Sequence, residues 1–186
     1  MKKHIIVLAL FSFLFTLGLR AQDVEFEKSN FPDKSKELNE AKANLKQGNK
    51  NYLLGQGMYS TALTFFLKAQ EFNPNNAELN YKIGRCYLAS AQKVKSIPYL
   101  EKAMALRPAV GPDIRYLLAK AYHLNMEFDK AIQYYQEYRA VAAPDVIATE
   151  GPEIEKKINE CNVGKELVKT PARVFIDNLG ATVNSV

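Results

Sequence analysis

Histidine, cysteine and paired carboxylates supply most hydrolytic, redox and metal chemistry, and this 186-residue chain holds few of them in a useful spacing. Its histidines are His4 and His123 and its thiols are Cys86 and Cys161. A histidine metal cluster needs more imidazoles than that, and a serine or cysteine nucleophile would have to rely on His123 as its base. The closest glycine pair, Gly55-Gln56-Gly57, leads into no Lys-Ser or Lys-Thr and so does not read as a phosphate loop. Glu153 with Glu155, and Glu71 with Glu78, come with no pocket signal and read as solvated helix faces. The chain is therefore read as non-enzymatic, with no cofactor, no metal and no small-molecule substrate. An enzymatic alternative would hang on His123, which is otherwise read as an exposed histidine on a helix.

The elements that must position these side chains begin after the first segment. Met1-Lys2-Lys3-His4 is a basic start, Ile5 to Leu19 is an apolar run broken by Ser12, Thr16 and Gly18, and Arg20-Ala21-Gln22 follows. That pattern is a secretory signal peptide over 1–21, with cleavage expected after Ala21, and it implies an exported protein. Removing Lys2, Lys3 and Arg20 leaves 22 basic against 20 acidic residues, so the net charge of +5 falls to +2. The basic balance therefore does not argue for nucleic acid, and the tyrosines fall at helical spacing rather than as a base-stacking platform. Cys86 and Cys161 each occupy an apolar position of a predicted helix and are read as two separate buried thiols rather than a disulfide.

A period organises the rest. Pro74 and Pro108 are 34 residues apart, as are Ala69 and Ala103; Ala62 is followed by Ser96 after 34 and by Ala131 after 35 more. Gly84 to Ala119 and Tyr87 to Tyr122 repeat at 35. Small residues at fixed places with such a period mark stacked helix-turn-helix units. Helices approach closely only where side chains are small, so Ala62, Ala69, Gly84, Ser96, Ala103, Ala119 and Ala131 are expected at the crossings. Tyr87 and Tyr122, with Phe66 and Tyr135, should fill the holes between helices. Pro74 and Pro108 cannot continue a helix and should separate the units.

The order Leu-Gly-x-x-Tyr, then Ala, an aromatic, Ala and Pro resembles the tetratricopeptide repeat. The second copy reads Ile83-Gly84-Arg85-Cys86-Tyr87, Ser96, Leu100, Ala103, Pro108; the third reads Leu118-Ala119-Lys120-Ala121-Tyr122, Phe128, Ala131, Tyr135, Tyr138, with Pro144 one place late. The first has Tyr59, Ala62, Phe66, Ala69 and Pro74 in its second helix, while its first helix around Gly48 and Tyr52 needs one extra residue. The resemblance implies an all-α superhelix of about three repeats plus a C-terminal capping helix, spanning 35–169. It also implies that the first helix of each repeat lines a concave side, which puts Lys46 and Lys50, Tyr81 and Arg85, and Tyr116, Lys120 and His123 on a partner-binding groove. A basic row with aromatic steps suits an extended peptide carrying carboxylates, although the same cations also read as a solubilising face. Asp113 and Leu117 stand where the carboxylate clamp of chaperone adaptors is basic, so a chaperone C-terminus is not implied.

The ends differ in character. Residues 22–34 read as a disordered or extended lead, Ser35 to Leu54 as one long helix, and Glu150-Gly151-Pro152 as the opening of a capping helix that carries Ile154, Ile158 and Cys161 on one face. Residues 170–186 read as an extended tail in which Ala172 to Asp177 has strand composition, either docked on the helices or, as preferred, leading into a second domain. Together with the signal peptide and Tyr81-Lys82-Ile83-Gly84-Arg85-Cys86-Tyr87, this junction resembles the N-terminal region of envelope proteins of Bacteroidetes-type bacteria. Those proteins join tetratricopeptide repeats to a β-propeller and an OmpA-type peptidoglycan-binding domain, and some serve type IX secretion and gliding. The expectation is a protein–protein scaffold with an indirect link to outer membrane and peptidoglycan; the alternative is a spacer that positions a downstream propeller.

Overall fold

A computed structural model describes residues 22–170, which contain seven α-helices and no strand. The helices are α1 (Ser35–Leu53), α2 (Tyr59–Phe72), α3 (Ala77–Leu88), α4 (Ser96–Leu106), α5 (Ile114–Leu124), α6 (Phe128–Val141) and α7 (Pro144–Leu167). The signal peptide over 1–21 and the strand-like stretch after Thr170 lie outside the described residues.

Local chemistry sets the breaks. Gly55 ends the α1 turn at φ +89°, a left-handed conformation that costs glycine nothing. Asn76 caps α3, its Oδ1 accepting the Leu79 amide at 2.9 Å. Pro74 and Pro108 are exposed in the turns between units. The last helix departs from expectation: it opens at Pro144, in the first turn where a missing amide hydrogen is harmless, and Pro152 lies inside it. Pro152 cannot donate to the Ala148 carbonyl, but Ala148 is exposed, so the carbonyl left without that donor is not sealed from solvent.

Helices pair as α1–α2, α3–α4 and α5–α6, with α7 closing on α6. Ala62, Ala69, Ser96, Ala103, Ala119 and Ala131 are fully buried at these crossings. Gly84 must be glycine, because a Cβ there would lie 2.5 Å from Cγ and Cδ2 of Leu100. Gly48 meets the ring of Phe66 in the same way, so Gly48–Phe66 and Gly84–Leu100 are the same contact in successive units. Each pair also carries a stacked tyrosine couple: Tyr52–Tyr59 at 4.9 Å between centroids, Tyr87–Tyr99 at 5.5 Å and Tyr122–Tyr134 at 5.7 Å. Phe66, Tyr122 and Tyr135 are almost wholly buried, as are Ile154 and Cys161 on the face of α7 that covers α6.

The lead over 22–34 is packed rather than free. Val24 exchanges bonds with the turn before α3, its amide donating to Asn75 O at 2.8 Å and its carbonyl accepting from Asn73 Nδ2 at 2.8 Å. The Asp23 carboxylate accepts the Ala77 amide at 2.8 Å, placing a negative charge at the start of α3 where the helix dipole favours it. Phe26 is buried and Phe31 packs on Phe72 at 4.7 Å.

Candidate functional site

The first helices of successive pairs, α1, α3, α5 and α7, lie side by side and form the face on which the groove was expected. Between α3 and α5 there is a cavity of about 380 Å³ bordered by Arg85, Leu88, Lys93, Asp113, Tyr116 and Lys120. Tyr81 and Arg85 are one helical turn apart on α3, and Asp113 sits at the start of α5. Arg85 Nη1 donates to the Tyr81 hydroxyl at 2.8 Å and lies 3.3 Å from Asp113 Oδ2, while the Tyr81 hydroxyl donates to Asp113 Oδ1. Burial, followed by the bond to Asp113, pushes the Tyr81 phenol up to about 12, so it stays a neutral donor. Arg85 is thus held by an internal partner. Lys93 and Lys120 are exposed at the cavity and have no ion-pair partner among the described residues.

On α1 the structure moves the expected positions by one residue. Lys46 and Lys50 are exposed to solvent, whereas Lys42, Leu45 and Asn49 line the cleft toward α3. Matching Gly48 to Gly84 makes Asn49 the counterpart of Arg85 and Leu45 the counterpart of Tyr81. The cleft is bridged by Lys82, whose Nζ donates to Asn49 Oδ1 at 2.8 Å. The register slips because Gly48 and Tyr52 are four residues apart where Gly84 and Tyr87 are three, so counting back from Tyr52 lands one residue late.

His123 is separated from this cavity. It is half-buried, with its ring edge-on to Phe128 at 6.0 Å and Tyr135 at 6.3 Å, and it borders a mostly apolar cleft of about 770 Å³ against Pro152, Val163 and Leu167 of α7. This corrects the reading of an exposed histidine: the stretch of α7 from Pro152 to Leu167 lies against it. Burial lowers its pKa below the ordinary 6.5, outweighing the opposing pull of Glu160. The folded state therefore binds the proton less readily than the unfolded chain, and stability must fall as pH drops below 6.5. Urea midpoints measured at neutral and acid pH should fall more steeply for the wild type than for His123→Gln, with the two lines converging above 6.5.

Cys86 and Cys161 are both buried and unbridged, and burial pushes their thiols up to about 12 and about 11, which leaves little thiolate at neutral pH. Among the described residues no group of three or more histidine, cysteine or carboxylate side chains is placed to hold a metal ion.

The unit formed by α3, α4 and the turn after them carries Gly84, Tyr87, Ser96, Ala103 and Pro108 in the order already noted. Residues 77–110 match the tetratricopeptide repeat family. The flanking pairs repeat that unit's contacts, with the same glycine seat at Gly48 and the same tyrosine couple at Tyr122–Tyr134. No curated protein matches the chain.

Three of the seven expected groove residues, Arg85, Tyr116 and Lys120, meet at one cavity, with Tyr81 just behind it. Lys46, Lys50 and His123 are elsewhere. Lys93 was missed by sequence reasoning. It belongs to a 3₁₀ turn, Lys93–Lys95, outside the helical pattern that marked the others.

Proposed function

We propose that this chain is an exported interaction scaffold that holds an extended, carboxylate-bearing segment of a partner protein in the cavity between α3 and α5. A tetratricopeptide repeat points to protein–protein binding rather than catalysis. The single observation that carries the finer reading is the pair of unmatched cations, Lys93 and Lys120, beside a cavity whose third cation, Arg85, is already neutralised by Asp113. An arriving carboxylate meets two lysines without displacing an internal ion pair, and Tyr116 adds ring area at little entropic cost. Arg85 and Tyr81 then serve to fix the spacing of α3 and α5. The signal-peptide pattern supports a periplasmic setting, and the junction beyond α7 supports a place in an outer-membrane or peptidoglycan-linked complex.

The test is affinity capture from periplasmic extract of a Bacteroidetes-type bacterium, comparing wild type with Lys120→Glu. Losing a charge-assisted contact and gaining a repulsive one should weaken capture of a specific partner by about tenfold or more. Identical partner profiles would remove the cavity from the proposal and favour the spacer reading, under which deletion of a repeat disrupts assembly while charge reversal does not.

A further inference from the structure

Nine large apolar side chains are exposed among the described residues, and their distribution is uneven. Leu53 and Leu54 project where α1 ends, Val94 follows the end of α3, and Leu124 and Met126 follow the end of α5. The last turns of α7 add Val163, Leu167 and Val168, leaving Val141 alone at the opposite edge. Scattered exposed apolar residues need no explanation, but eight of nine along one edge do. The edge is continuous: Gln56 and Tyr59 share a cavity with Leu88 and Lys93, and Lys165 of α7 pairs with Asp129 beside Met126.

The unpaired cations follow the same division. Lys50, Lys93, Lys95, Lys165 and Lys169 lie along the apolar edge; the last two pair there with Asp129 and Glu166, and the first three have no ion-pair partner among the described residues. The opposite edge carries Glu37, Glu78, Asp113 and Asp145 at or near helix starts, together with Asp23 and Glu25 of the lead. Helix dipoles account for lysines at helix ends. They do not account for the leucine, valine and methionine side chains between them. Met126 makes this plainest: it is 67% exposed at φ +59°, a position where asparagine or glycine would cost less.

We infer that this edge rests on the surface of an anionic phospholipid bilayer, with the apolar tips entering the acyl boundary and the lysines meeting the phosphates. Separated tips in a row, rather than a contiguous concavity, suit a fluid surface that needs no shape match. No described helix is long and apolar enough to cross a membrane, so the contact would be peripheral. The surface meets the α3–α5 cavity at Lys93, so the variants that separate the two readings are Lys50 and Lys95 on the edge alone and Lys120 at the cavity alone.

The chain contains no tryptophan, so a single one reports its own position. The chain from Gln22 to Val186 holds every residue of both apolar clusters and is the form to test. Leu54→Trp and Leu167→Trp place reporters at the two ends of the edge, and Val141→Trp places one on the opposite edge. On vesicles containing phosphatidylglycerol, both edge reporters should shift to the blue and be quenched by brominated acyl chains, while Trp fluorescence of Val141→Trp stays unchanged. Lys50→Glu with Lys95→Glu should weaken vesicle binding by about tenfold or more, and Lys120→Glu should not. No shift, a shift at one end only, equal shifts at all three positions, or a blue shift without vesicles that depends on protein concentration would each overturn the inference, the last by showing that a second copy covers the edge.

Discussion

Leu100→Ala is expected to lower the unfolding free energy by about 2–5 kcal/mol, the range for emptying a fully buried leucine site. Gly84→Ala should also destabilise, even though alanine ordinarily improves a helix interior by about 0.5–1 kcal/mol. The new methyl would lie 2.5 Å from Leu100 Cγ and Cδ2, and overpacking of that kind costs about 1–3 kcal/mol, so the steric term wins. The two changes should not add. With Leu100 cut back, the clashing atoms are gone and the methyl enters the space they left. Urea titration of both single variants and the double should give a coupling of at least about 0.5 kcal/mol in the favourable direction. Strict additivity would mean that the Leu100 tip rotates aside at no cost, and the glycine would then be no seat for its neighbour. For a domain of this size each kcal/mol corresponds to about 2–4 °C in Tm, so the effect is also visible by thermal melting.

The second large effect concerns the lead. Phe26→Ala should cost about 3 kcal/mol, since a ring that is 5% exposed loses both its transfer energy and its packing. Asp23→Ala removes an ion pair with Arg107 at 3.3 Å whose side chain is 42% exposed, and partly exposed pairs are worth at most about 1 kcal/mol. The acceptor lost from the Ala77 amide adds about 1 kcal/mol more, as in other helix caps. Burial therefore outranks charge at this contact. Hydrogen exchange distinguishes local release from global loss: in Phe26→Ala the Val24 amide, which donates to Asn75 O, should exchange far faster, while amides in α5 and α6 follow only the overall change in stability. Unchanged protection at Val24 would show that the backbone bonds hold the lead without its ring.

The all-α fold was legible because stacked helix pairs impose a repeating steric requirement. Ala62, Ser96 and Ala131 recur since the same crossing recurs, and a side chain larger than these would push two backbones apart at each one. The aromatic fillers were partly legible: Tyr87 and Tyr122 were identified, whereas their stacking partners Tyr99 and Tyr134, on the second helices, were not. The start of α7 was misread for a local reason, since Gly151-Pro152 has the composition of a helix boundary, yet the helix opens at Pro144 and runs through Pro152, where the carbonyl left without a donor belongs to the exposed Ala148.

The candidate site was less legible than its scaffold. A groove position is set by helix rotation, and the one extra residue between Gly48 and Tyr52, compared with Gly84 and Tyr87, moves the facing side chains from Lys46 and Lys50 to Leu45 and Asn49. Whether a cation is free or neutralised was also hidden, because Arg85 meets Asp113 across 28 residues of chain. His123 has the spacing of a groove residue, yet α7 folds over it.

What the amino-acid order determined alone is the repeat: its period, its small crossings and its breaks depend on contacts within 34 or 35 residues, where side-chain size and backbone chemistry suffice. What tertiary structure alone decided is which charges face each other, which end of each helix is left apolar, and where the lead is tied down. Those features depend on the relative placement of distant helices, and a shift of one residue in the register of a single helix is enough to exchange a cleft-facing side chain for a solvated one.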